Sequence, residues 1–89
     1  MNEERIARID GLLRQAFSLH ALEIEDQSYL HAGHAGAKDG KGHFRVAIVA
    51  DEFAGQSPLK RHRLVYAAVG DMMKTDIHAL TIDARPPEK

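Results

Sequence analysis

The sequence predicts an α+β sandwich, a three-stranded mixed sheet with two helices packed on one face. Three observations carry that prediction. Apolar residues recur at helical spacing as Ile6, Ile9, Leu13, Ala16 and Phe17. "ALEIED" alternates Leu22 and Ile24 against Glu23 and Glu25, the two-residue period of a half-buried strand. The element order reads α-β-β-α-β. Its last two strands are joined through a helix, so if adjacent they are parallel with a right-handed crossover.

The first helix is expected over residues 3–17. Asn2 is a suitable N-cap, and Glu3 and Glu4 occupy the first turn, where the helix dipole favours anions. The first strand follows, with one wet face. From 27 to 42 periodicity collapses into the glycine-rich "QSYLHAGHAGAKDGKG", a long loop of the kind that tends to serve function. "HFRVAIVA" then reads as the central strand, with Phe44, Val46 and Ile48 on one face and Ala47 and Val49 on the other. After the connection "DEFAGQ", Ser57 caps a second helix with Pro58 at its first position, where a missing N–H costs nothing. That helix is expected to run to about Lys74. "IHALTIDA" supplies the third strand, with His78, Leu80 and Ile82 on one face, and residues 85–89 form an extended tail. Residues 1–89 read as one domain with room for one modest core.

Composition narrows the function classes. Apolar residues make up 44% and charged residues 28%, ordinary for a soluble domain. A net charge of −1 provides no global attraction to nucleic acid or to an anionic membrane. Cysteine is absent, which excludes disulfides, cysteine nucleophiles and thiolate metal sites built by this chain alone. "MNEERIARID" lacks the basic start and apolar run of a signal peptide, and "VAIVA" is too short to span a bilayer. A cytoplasmic protein without a membrane role is expected.

The six histidines then become the residues to place. The topology gathers His31, His34, His43 and His78 at one end of the sheet, where the central strand and its parallel neighbour both begin. His62 starts near the other end, so one metal ion cannot use both His62 and His78. On a helical wheel His62 shares a face with Val65, Tyr66, Val69, Met72 and Met73, whereas Lys60 and Arg63 point away and Arg61 lies toward the margin. A half-buried structural role is expected for His62, because it lacks the acidic partners a catalyst needs. His20 reads as a turn residue and His43 as a surface residue with occasional metal contact. H-x-x-H at His31 and His34 is a weak metal signal alone, more often a solvated loop. Convergence with His78 raises it to an incomplete imidazole site whose remaining ligands must come from elsewhere.

"DQSYLH" at 26–31, "GHFRVAIV" at 42–49, Phe53 and Gly55, "RHRLVY" at 61–66 and "IHAL" at 77–80 occur in the order of the BolA family, which the sequence resembles over nearly its whole length. The resemblance implies a class II KH-like fold and a non-enzymatic partner of monothiol glutaredoxins in iron–sulfur trafficking and iron homeostasis. It implies a [2Fe–2S] cluster shared with the glutaredoxin and glutathione, which give thiolates. This chain would give His31 from the variable loop and His78, with His34 as an extra candidate. Replacing thiolates by imidazoles lowers the cluster's negative charge and raises its potential, as in Rieske centres. Imidazole must be neutral to bind, so acid should release the cluster. A homodimer of the chain is also compatible with the sequence.

The resemblance also implies a second reading, a DNA-binding transcriptional regulator. Lys60, Arg61 and Arg63 cluster at the front of the second helix, where anions are favoured. A KH domain clamps nucleic-acid backbone with GxxG between two helices, whereas "GHAG" at 33–36 lies in the loop between strands. Weak, salt-sensitive phosphate contact is therefore expected, or docking of an acidic protein patch. An enzyme ranks third, because no nucleophile, base and orienting group assemble.

Overall fold

The computed structural model describes residues 3–27 and 42–88. The expected Asn2 cap and the loop histidines His31 and His34 lie outside them. Helix α1 (Glu3–Ala16) leads into β1 (Leu19–Asp26). Strand β2 (Gly42–Ala50) passes through a single 3-10 turn at Asp51–Phe53 to α2 (Pro58–Val69). A one-turn helix α3 (Met72–Thr75) then precedes β3 (Ile77–Arg85). The sheet order is β1-β2-β3, with β1 antiparallel and β3 parallel to β2. The predicted α+β architecture and the parallel pair are both present.

One sheet face carries the core. Phe44, Val46, Ile48 and Ala50 of β2 are buried with Ile9 and Leu13 of α1 and Val65 and Val69 of α2. Both helices therefore lie over the same face. The register extends that face sideways, setting Ile24 opposite Val46 and Leu80 opposite Phe44. The 3-10 turn is pinned from below: Phe53 is fully buried, its ring centroid 5.0 Å from that of Phe17. Burying such a side chain stabilises the fold by about 1.5–3 kcal/mol, enough to fix where α2 begins.

Ser57 caps α2 as expected, its hydroxyl accepting from the Lys60 N–H at 3.1 Å. The helix does not reach Lys74. Gly70, at φ +56°, ends it, and its N–H donates to the Tyr66 carbonyl. A positive φ is open to glycine and strained for other residues, so the chain turns here and restarts as α3.

This shorter helix presents a different face from the predicted one. Val65 and Val69 are its buried residues, with Arg61, Leu64 and Ala68 partly buried beside them. His62 and Tyr66 fall past the margin of that stripe, and His62 is exposed. The half-buried His62 of the sequence reading is corrected accordingly. Its predicted neighbours Met72 and Met73 belong to another helix.

Candidate metal centre at the paired strand starts

The start of β3 contains one residue more than its partner. Gly42 pairs with Ile77, but the next residue, His43, pairs with Ala79. His78 is the unmatched residue in this shift, which acts as a bulge acts: it re-aims one side chain without disturbing the ladder beyond. Ile77 and Leu80 consequently both stay in the core, and His78 is exposed. The expectation that His78 shares a face with Leu80 and Ile82 is overturned by this single extra residue.

His78 turns onto His43. The two imidazole centroids are 4.9 Å apart and tilted by 51°, within the range of ring pairs in contact. His43 is buried, at 7% exposure, and is not the surface residue its strand parity suggested. The pair thus joins an anchored imidazole to an accessible one. Imidazole nitrogens suit borderline first-row metals. Two imidazoles fall short of a complete set, and among the described residues no three donors converge. The donor chemistry suits a metal group, and a complete set would need donors from beyond the pair.

Asp76 holds the platform beneath. Its carboxylate accepts from Thr75 Oγ1 at 2.7 Å and from Arg5 Nε at 3.2 Å, and Arg8 Nη1 lies 3.1 Å from its second oxygen. The Thr75 hydroxyl foremost, with Arg5 and Arg8, holds this carboxyl below the usual aspartate value against the opposing effect of burial. Its main chain is engaged as well: its N–H donates to the Met72 carbonyl at 2.8 Å, and its carbonyl accepts from the Gly42 N–H at 2.9 Å.

The remaining predicted residues lie elsewhere. Arg61 donates from Nε to the Gln56 carbonyl at 3.0 Å and from Nη1 to the Ala84 carbonyl at 3.2 Å. Ala84 is six strand residues beyond His78, roughly 20 Å at 3.3 Å per residue. The separation of the α2 front from the histidines is therefore as expected. Lys60 and Arg63 are exposed, whereas the Arg61 guanidinium is tied to backbone. His20 lies in β1, not in a turn, and its Nε2 is 2.8 Å from Asp51 Oδ1. One member of the site, Asp76, was missed, and another, His43, was read as a surface residue. His43 had a signal, since the topology already put it at this edge. Asp76 had none beyond its place two residues before His78.

The fold has counterparts among known proteins. A family model described as BolA-like protein matches residues 13–89. The chain belongs to the BolA family. It is 49% identical over 85 residues to SufE-like protein 1, chloroplastic/mitochondrial, of Arabidopsis thaliana, covering 90% of this chain and 23% of that protein. It is 44% identical over 81 residues to BolA-like protein 1 of Homo sapiens, covering 91% and 57%. It is 40% identical over 75 residues to the DNA-binding transcriptional regulator BolA of Escherichia coli, covering 84% and 69%. The chain thus spans about a quarter to somewhat over half the length of the first curated relatives it matches. The solved BolA domain of SufE1 from Arabidopsis thaliana superposes with a TM-score of 0.82 at 44% identity, covering 93% of this chain and 92% of that one. BolA1 from the same plant gives 0.80 at 38%, covering 96% and 94%. The human relative and the two solved structures are named as BolA-like proteins or a BolA domain, and the Escherichia coli relative as a regulator. Two names place the relative in chloroplasts or mitochondria, unlike the cytoplasm expected of this sequence. Among the described residues no helix is long and apolar enough to cross a membrane.

Proposed function

We propose that the chain is a non-enzymatic partner of a monothiol glutaredoxin, sharing a [2Fe–2S] cluster with it and with glutathione as cargo in iron–sulfur trafficking. The observation that supports this reading is the contact between buried His43 and exposed His78 at the paired strand starts. An accessible imidazole with a fixed neighbour can complete a metal group that another molecule brings, and a cysteine-free chain has no thiolate with which to hold one alone. His78 is the ligand in this proposal, with His31 or His34 of the loop as the second. The chain alone should bind a cluster poorly. Mixed with a monothiol glutaredoxin and glutathione, it should give visible circular dichroism distinct from that of the glutaredoxin homodimer. His78→Ala should abolish the difference and His31→Ala should weaken it. Identical spectra for the parent and His78→Ala would remove His78 from the ligand set.

The second reading, regulation through DNA, is supported by the name of the Escherichia coli relative, a DNA-binding transcriptional regulator, and by the exposed Lys60 and Arg63 at the front of α2. Two phosphate contacts imply weak binding with a shallow salt dependence. Replacing both with alanine should weaken binding uniformly across DNA sequences and reduce the salt slope by about 2. Sequence-specific binding that survives would move the surface elsewhere.

A further inference from the structure

We infer that Asp76 is a positioning residue for the histidine pair, joining the starts of β2 and β3 to α1 so that His78 is held against His43. Every polar group of this residue is used, each toward a different part of the platform. Its carbonyl accepts from Gly42, the residue before His43. Its N–H closes α3 through Met72, which fixes the approach of the chain into β3. Its carboxylate meets Thr75, Arg5 and Arg8, and the two arginines stand on α1, seventy-one and sixty-eight residues away by their numbers. The carboxylate side chain is only 14% exposed. An ion pair between distant elements alone would be a stability device. Here the same residue also sets the relative height of the two strands at the point where their register shifts. That shift turns His78 out of the sheet, so the position of Asp76 governs where the imidazole lands. Groups that hydrogen-bond a metal ligand typically alter affinity by about 10–100-fold when removed, and Asp76, which acts through the strand starts, belongs at the low end of that range.

The consequence for a cluster rests on the function proposed above; the ring geometry does not. The experiment reads the two separately. On the labelled chain alone, the parent should show a nuclear Overhauser contact between the His43 and His78 rings. In Asp76→Ala that contact should be lost, and the His78 ring shifts should move, while the methyl shifts of Ile9 and Val65 stay in place. Asp76→Asn, which keeps an acceptor for Thr75, should be intermediate. In the glutaredoxin and glutathione mixture, Asp76→Ala should weaken the heterocomplex by about tenfold. If Asp76→Ala does not fold, Arg8→Gln decides, because Arg8 is half exposed and touches only the carboxylate end of the arrangement. It should shift the His78 ring and leave the core methyls in place. A folded Asp76→Ala that keeps the ring contact overturns the inference, as does an Arg8→Gln whose His78 ring shifts do not move, or core methyls that shift together with the rings. A parent mixture with no heterocomplex spectrum would defeat the proposed function, and the ring contact would still judge Asp76.

Discussion

Arg61 donates from Nη1 to the carbonyl of Ala84 at 3.2 Å, which ties the front of α2 to the far end of β3. Its Nε holds the Gln56 carbonyl as well, so this cation braces the crossover that makes β3 parallel to β2. Charge-assisted bonds to partly buried acceptors are worth more than surface ion pairs. Arg61→Ala should therefore cost about 1–2 kcal/mol in urea unfolding. Lys60→Ala and Arg63→Ala should each stay within about 0.5 kcal/mol, as exposed positions do. Equal effects from all three would mean that Arg61 is a surface charge like its neighbours.

His62 offers the opposite test. Exposed past the margin of the buried stripe, it has little packing to lose. Alanine is the better helix former by several tenths of a kcal/mol, so His62→Ala should be neutral or slightly stabilising. A loss above about 1 kcal/mol in the same assay would show that the ring packs after all.

Much of this fold was legible because its signals are periodic and local. Ile9 and Leu13 lie where the helical stripe put them, and Phe44, Val46 and Ile48 face the core as their alternation required. The parallel β2–β3 pair followed from a connection that leaves no tight turn. Two of the errors trace to a single residue each. Gly70 breaks the helix that the wheel assumed continuous, which removed Met72 and Met73 from the face assigned to His62. The register shift at His78 turns that residue off the Leu80 face, and "IHALTI" alternates the same way with or without it. Only apolar Ile77, out of phase with Leu80, hinted at it. Asp76 was illegible because its partners Arg5 and Arg8 are brought near by tertiary structure alone.

Gly70 makes that reading of the break testable. A Cβ at this position would meet the Ala67 carbonyl oxygen at an ordinary 3.8 Å, so space is no obstacle. The backbone is: φ +56° with ψ −128° strains any residue carrying a side chain. Gly70→Ala should lower stability by about 1–3 kcal/mol, read as a reduced thermal midpoint. An unchanged midpoint would mean that the chain crosses this position in another conformation, with α2 and α3 free to merge.

Asp76 should give acid sensitivity of a definite sign. Its carboxyl is held below the ordinary aspartate value, first by the Thr75 hydroxyl and then by Arg5 and Arg8, with burial opposing. A depressed folded-state value means that the unfolded chain takes up the proton more readily. The stability this carboxylate contributes is therefore fully present above the unfolded-state value of about 3.9, and it is lost as pH falls through the lower folded-state value. Urea unfolding of the parent and of Asp76→Asn between pH 6 and pH 3 isolates this group from the other acids, which titrate in both proteins. The parent should be more stable by a constant margin near neutrality. That margin should shrink below about pH 4, where the aspartate becomes a neutral group like the asparagine. A margin that grows on acidification would reverse the sign of the shift, and one flat down to pH 3 would mean that the carboxylate contributes through hydrogen bonds that protonation leaves intact.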